Sequence, residues 1–343
     1  MKIINRKNRS LVILTASVIS LLYSGISLAV DDGARAYWKA REGANIISFQ
    51  KLDLSLNATG AQQFDPGQFI YPNSDVQADI VVANWARHMT LFDRASSLSF
   101  GLTGGSIHAD VSASLPGEFV PPGETVGVAF SQSSSGYADP TVQLDINLIG
   151  TSQLKSNVDL LNYEPEWTVD AAMMLAVPVG EYDDDKAVNM GLNRWWGRLA
   201  LPIKYHFGAF NPGYRSSFEI VPSVWLFAEN DDFVGQKLEN DPILQLEAHL
   251  TQDFTRTLFG SVDLLYRSGF QSEVDNVEVG DEVDIGDLGF TLGYTATNNL
   301  NIITSFSSNM FGDSDVDNSL IRLQFVYFWH TANENFKKLS GGH

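Results

Sequence analysis

Apolar and polar residues alternate along this chain with a period of two. In the stretch from Leu320 to Trp329, Ile321, Leu323, Phe325, Tyr327 and Trp329 fall on one face, while Arg322 and Gln324 fall on the other. That period marks a β-strand with one apolar face. The pattern recurs. Leu288, Phe290, Leu292 and Tyr294 alternate with Asp287, Gly289, Thr291 and Gly293, and Leu244, Leu246, Ala248 and Leu250 with Gln245, Glu247, His249 and Thr251. Segments around Val142, Leu98 and Leu199 read the same way. Twelve strands are predicted, near 45–57, 79–92, 96–109, 137–149, 167–179, 194–208, 216–229, 243–254, 257–271, 284–297, 300–311 and 319–329. Tight turns at Asp93-Arg94, Phe254-Thr255-Arg256 and Asn298-Asn299 contrast with long connections at 58–78, 110–136, 180–193, 230–242, 272–283 and 312–318. Within 110–136, Val126 to Phe130 is a candidate hairpin arm.

The polar faces decide the class. A soluble sandwich would place Lys and Glu there; here the positions are mostly small or amide-bearing, with isolated charges of both signs. Such a face suits a crowded, water-containing lumen. Aromatics near strand ends (Trp167, Trp195, Tyr205, Tyr294 and Trp329) fit interfacial girdles. The expected fold is all-β: a single antiparallel transmembrane β-barrel of about 12 strands, with short periplasmic turns and long acidic outer loops. Twelve strands leave both termini in the periplasm. Closure pairs every strand where lipid offers the backbone no partner.

The start of the chain sets the compartment. Lys2, Arg6, Lys7 and Arg9 precede a mostly apolar run from Leu11 to Leu28, and Ser27-Leu28-Ala29 is a small-x-small cleavage site. These are the three parts of a secretory signal peptide. The competing reading, a transmembrane anchor, suits the run less well because it contains several Ser, Thr and Gly residues. The expected organisation is a signal peptide at 1–29, an N-terminal segment at 30–44, a barrel at 45–329 and a tail at 330–343. With 22 basic against 41 acidic residues, the formal charge of −19 argues against nucleic acid as a partner. The complete lack of Cys excludes disulfides, thiol nucleophiles and Cys-ligated metal sites.

Motifs for catalysis, phosphate binding or zinc are not found, and no cofactor is expected. Acidic residues gather in the loops, as at Asp183-Asp184-Asp185, at 273–287 and at Asp313-x-Asp315-x-Asp317. The last lacks the Gly and distal Glu of a calcium loop, so solvated loops are the simpler reading. If the apolar faces meet lipid, the residues lining the lumen are Lys51, Asp53, Asp145, Asp170, Arg198, Lys204, His206, Glu219, Glu247, His249, Asp263, Arg267, Asp287 and Arg322. Taken singly, each is expected to belong to a salt-bridged network filling a narrow barrel; the functional alternative is a set of charges lining a pore.

Four short motifs, in order and spread over nearly the whole mature chain, resemble the meta-pathway phenol-degradation family, whose members are regarded as outer-membrane transporters. They are Asp32-Gly33-Ala34-Arg35-Ala36-Tyr37-Trp38, Gly136-Tyr137-Ala138-Asp139-Pro140, Ala176-Val177-Pro178-Val179-Gly180-Glu181-Tyr182 and Leu288-Gly289-Phe290-Thr291-Leu292-Gly293-Tyr294. Ala138 replaces the second Gly of the family's Gly-x-Gly-Asp-Pro pattern, and the chain runs on past Trp329 to His343 rather than stopping at an aromatic residue. The resemblance implies a barrel that exports or takes up aromatic or other hydrophobic small molecules, with no catalytic residues to carry over. The alternatives are a non-conducting structural or surface-interaction barrel and, third, an outer-membrane hydrolase. Expected partners are outer-membrane lipid and lipopolysaccharide, small hydrophobic or aromatic solutes, and the barrel-assembly machinery, which would read Phe325-x-Tyr327-x-Trp329.

Residues 30–44 mix Tyr37 and Trp38 with Arg35, Lys39 and Arg41. The favoured expectation is a frayed periplasmic leader. The alternative is a plug folded into the lumen, its cations meeting lumen carboxylates.

Overall fold

The computed structural model describes residues 32–59, 62–65, 68–114, 127–150, 154–156, 158–159, 162–279, 282–312 and 316–330. The expected signal peptide, the tail beyond His330 and the loop acids Asp281, Asp313 and Asp315 lie outside the described residues.

The strands, in chain order, are β1 (Ala44–Thr59), β2 (Gln62–Asp65), β3 (Gln68–Leu91), β4 (Arg94–Ser114), β5 (Gly127–Tyr137), β6 (Thr141–Ile149), β7 (Trp167–Ala176), β8 (Trp196–Ala200), β9 (Ile203–Phe207), β10 (Ser216–Phe227), β11 (Asn230–Phe233), β12 (Gln236–Asn240), β13 (Ile243–Asp253), β14 (Leu258–Gly269), β15 (Ser272–Val274), β16 (Val277–Val279), β17 (Val283–Thr297), β18 (Leu300–Gly312) and β19 (Val316–His330). Twelve staves of antiparallel strand close into a barrel. Two staves are built from consecutive strands: β5 with β6, and β8 with β9. Each break contains a proline, Pro140 or Pro202, which has no N–H to give to the ladder. β4 pairs with β6 along its periplasmic part (Ser96↔Ile146 to Gly101↔Thr141) and with β5 along its outer part (Gly104↔Tyr137 to Ser114↔Gly127). Closure comes from β1 on β19, in register from Ala44↔His330 to Ala58↔Val316. Among the described residues, no helix is long and apolar enough to cross a membrane.

Burial runs opposite to that of a soluble protein. On β13, Leu244 and Leu250 are 63% and 52% exposed, while Glu247 and His249 are 0% and 1% exposed. The exposed side continues around the barrel through Phe218, Val262, Phe290, Leu292, Ile321 and Phe325. Left in water, each such side chain would forgo about 1.5–3 kcal/mol of burial; a bilayer removes that cost. The polar positions turn inward, where they pair with one another.

Each of the twelve predicted strands has a counterpart. The long outer connections hold more structure than expected. The hairpin arm within 110–136 is longer than Val126 to Phe130, because β4 continues to Ser114 and β5 returns from Gly127. The connections at 230–242 and 272–283 fold into hairpins β11–β12 and β15–β16, which join edge to edge as a four-stranded outer sheet through Leu238↔Val274 and Asn240↔Ser272. There Lys237 bonds Glu229 and Glu239, both at 2.5 Å, and these bonds hold its ammonium above the usual lysine range. On the periplasmic side, one connection departs from the short-turn expectation. The stretch between Ile149 and Trp167 meets the N-terminal segment, with Glu42 N–H donating to the Leu154 carbonyl at 2.8 Å.

Candidate functional site

The periplasmic half of the lumen is charged. Inward positions on β7, β9, β10 and β13 bring together Asp170, Lys204, Glu219, Glu247 and Asp253, all buried. Period-two alternation places Glu247, His249, Thr251 and Asp253 in one inward row on β13. Lys204 pairs with Asp170, Arg198 Nη2 donates to Glu247 Oε1 at 2.7 Å, and Arg215 Nε donates to Asp253 Oδ2 at 2.8 Å. Asp170, Glu247 and Asp253 thus each have a cation borne by the barrel wall itself, while Glu219 accepts from the wall's Ser217 hydroxyl at 2.7 Å.

Residues 32–43 enter this half of the lumen and bond to the same wall. Lys39 Nζ lies 3.1 Å from Asp170 Oδ1, and Arg35 Nη1 lies 2.7 Å from Asp253 Oδ1. The Asp32 carboxylate accepts from Arg198 Nη1 at 2.7 Å and from the Tyr37 hydroxyl at 2.5 Å, and Asp32 N–H donates to Glu247 Oε2 at 3.0 Å. The Trp38 indole N–H donates to Glu219 Oε1 at 2.8 Å. The Tyr37 ring packs with Ala172 and Val221 from the wall, and its carbonyl accepts from Lys204 at 2.7 Å. Gly33 has φ +87, and a Cβ there would lie 2.8 Å from Arg322 Nη1. The segment therefore reaches the β19 wall as well as β7 to β13. Its base is tied at the periplasmic rim, where Thr90 Oγ1 donates to Glu42 Oε2 at 2.7 Å and Arg41 Nε donates to His330 Nε2 at 3.0 Å.

The outer half holds an apolar cluster, with the buried Arg267 and Asp287 beside it. Leu52, Leu54 and Leu56 of β1, Val76 and Ile80 of β3 and Ile107 of β4 pack with Val188, Met190 and Leu192, which lie in the connection between β7 and β8. Phe233, Leu238, Phe270 and Val274 extend the same cluster toward the outer hairpins. The inward fold of this connection has an identifiable anchor. Asp139, buried in the Gly-Tyr-Ala-Asp-Pro motif, accepts the Gly180 N–H at 2.9 Å, the Leu192 N–H at 3.0 Å and the Trp196 indole N–H at 3.3 Å. Gly136, at φ +139, leaves room for the Glu181 side chain, which an added Cβ would meet at 3.0 Å. The two motifs on either side of β6 and β7 are thus the two halves of one lock.

Of the residues expected in the lumen, Asp145, Asp170, Arg198, Lys204, His206, Glu219, Glu247, His249, Asp263, Arg267, Asp287 and Arg322 are all buried on inward faces. Asp145 bonds Ser97 at 2.9 Å, and Arg267 lies 3.9 Å from Asp287. Asp263 bonds His249 at 2.7 Å and Thr291 at 2.6 Å. Lys51 and Asp53 do not point inward. They are 43% and 53% exposed at the side chain and bond each other and Asp79 on the outward face. The expectation took the leucines of β1 as lipid-facing, but Leu52, Leu54 and Leu56 face the interior apolar cluster, so alternation turns Lys51 and Asp53 out. Asp253 and Asp139 were missed. Asp253 shares the parity of Glu247 and His249 and lies two same-face positions beyond His249, so following that row to the strand end reaches it. Asp183, Asp184 and Asp185 place carboxylate atoms within 4.8 Å of one another, but all are exposed and Asp183 is occupied by Lys186 at 3.3 Å.

The barrel is similar to an outer membrane channel from Pseudomonas putida F1, with TM-score 0.63, 16% identity, and coverage of 88% of this chain and 100% of that one. The transport unit of an Escherichia coli autotransporter aligns with TM-score 0.45 and 10% identity over 92% of this chain and 98% of that one. The β domain of a Bordetella autotransporter aligns at 0.45 and 10% over 83% and 100%. No curated protein matches the sequence. The fold is that of a barrel of the bacterial outer membrane. The profile of the family described as "Putative MetA-pathway of phenol degradation" matches residues 52–316, and the chain belongs to that family.

Proposed function

We propose that this barrel is a gated transporter for apolar or aromatic small molecules, drawn here in its closed state. The observation that carries this reading is the division of the interior: an outer half with an apolar cluster closed by residues 187–192, and a charged periplasmic half closed by residues 32–43. Polar solutes gain nothing from an apolar entry, whereas an apolar solute can replace the contacts that Val188, Met190 and Leu192 make there.

The charge pattern supports a removable closure over a permanent filling. Withdrawal of the segment leaves Asp170 with Lys204, Glu247 with Arg198, and Asp253 with Arg215. These three carboxylates keep a cation, so the large penalty for an unpaired buried charge does not oppose opening at them; Glu219 gives up the Trp38 and Arg35 donors and keeps Ser217. A second reading, a sealed barrel with a purely structural role, draws on the same contacts, since they close both halves of the lumen.

Uptake separates the two. Outer-membrane entry of a phenylnaphthylamine dye, which the lipopolysaccharide leaflet excludes, is measured in cells with and without the protein. Faster entry with the protein, and faster still with Asp139→Ala, is the expected result. Equal entry in all three would favour the sealed barrel.

A further inference from the structure

The indole of Trp38 occupies a socket built for a ring. The Arg35 guanidinium lies 4.3 Å from the ring centroid and that of Arg215 lies 5.2 Å from it. Phe210 and His206 approach at 5.2 and 5.4 Å. The indole N–H is taken by Glu219 Oε1 at 2.8 Å, and Glu219 is only 2% exposed. Both cations are oriented by one carboxylate, Asp253. Only Trp38 and Arg35 belong to the segment. Arg215, Phe210, His206 and Glu219 belong to the wall and its periplasmic turn, and they stay when the segment withdraws. What remains is a cation that can face a π-system, the Phe210 and His206 rings, and a buried carboxylate that has lost the Trp38 and Arg35 donors and keeps that of Ser217. Stacking over a cation selects flat aromatic rings over saturated ones. A carboxylate selects a neutral ring bearing an N–H or O–H over one bearing an acid, and a buried carboxylate that gives up donors without replacement loses stabilisation.

We propose that the Trp38 socket is a solute site: the chain's own indole fills it when the lumen is closed, and a planar aromatic molecule carrying one N–H or O–H donor fills it when the segment is out. This rests on the reading of residues 32–43 as a removable closure, and it narrows the substrate class to aromatic donors such as phenols and indoles.

The test uses the refolded mature barrel in detergent, with folding checked by heat-modifiable mobility. Indole is titrated calorimetrically into wild type and Trp38→Ala. Saturable binding to Trp38→Ala, about tenfold tighter than to wild type and about tenfold tighter than cyclohexanol, is the expected result. Arg215→Met in the Trp38→Ala background should remove that preference. Trp38→Phe keeps the socket filled and should bind indole as poorly as wild type. Indole no better than cyclohexanol, or a preference unmoved by Arg215→Met, would overturn the site. Should Trp38→Ala not refold, wild type decides: indole raises the open fraction in planar bilayers and cyclohexanol does not, and an equal response to both overturns the proposal. The two readings fail separately. Indole binding to Trp38→Ala, with conductance unchanged on deletion of 32–43, keeps the site and removes the closure. Raised conductance on deletion, with indole no better than cyclohexanol, keeps the closure and removes the site.

Discussion

Lys39→Met isolates the hold of the N-terminal segment on the wall. The Lys39 ammonium lies 3.1 Å from Asp170 Oδ1, with both side chains almost wholly buried. At that separation, with an effective dielectric constant of about 20, the attraction is about 5 kcal/mol. Most of it does not appear in the net effect. The ammonium loses hydration to get there, and it also stands near Lys204, which shares Asp170. Because Lys204 stays, the substitution strands no charge, and the net loss is that of one charge-assisted hydrogen bond, about 2 kcal/mol. If the segment's position is the closed–open coordinate, the ratio of open to closed rises about 30-fold. Single-channel recording of the refolded mature protein measures that ratio, and thermal unfolding in detergent reports the barrel separately. Asp170→Asn is the contrast. It leaves two buried ammoniums without their carboxylate, which costs about 3–5 kcal/mol and should lower the yield of folded barrel. An unchanged open fraction in Lys39→Met, with a melting temperature lowered as far as in Asp170→Asn, would refute the reasoning, because Lys39 would then be part of the barrel's structure and not of a movable closure.

Other perturbations test other parts of the account. Asp139→Ala removes the acceptor of three donors in the outer lock; limited proteolysis should then cut within 180–192 while the barrel core stays resistant. Gly293→Ala places a methyl 2.0 Å from the Phe259 ring, over which the Arg35 guanidinium lies at 4.1 Å; the displaced ring should loosen Arg35 and raise conductance. Lys51→Ala removes two exposed ion pairs on the outward face, and neither melting temperature nor conductance should move measurably.

The barrel was legible because lipid imposes a simple rule. With one face toward hydrocarbon, Leu244, Leu246 and Leu250 must alternate with Gln245, Glu247 and His249, and period two survives from strand to strand. The rule fails where the strands leave the bilayer. In β1 the leucines face an interior apolar cluster, and nothing local in the sequence distinguishes Leu54 from Leu246. The same limit explains the outer sheet: β12 and β15 are short, and their pairing joins residues far apart in the chain. The lumen residues were found through parity, but their partners were not, since Arg198 meets Asp32 across 166 positions. The segment at 30–44 carried the right chemistry for a plug, yet a run of three cations and two aromatics reads more simply as a solvated leader, the expectation that the bonds of residues 32–43 to the wall overturn. What distinguishes them is the arrangement of wall acids around it, which only the closed barrel defines. Asp139 was quoted as part of a family motif, but its role depends on the return of residues 180–196 over it.

The most direct test of the central claim is the single-channel conductance of the refolded mature protein with and without residues 32–43, in planar bilayers under matched salt. The account predicts small or rare openings for the intact chain and a steady, severalfold larger conductance for the deletion, because the wall's own ion pairs keep the barrel folded and the periplasmic half then stands open. The same conductance from both proteins, each verified as a folded barrel, would contradict it.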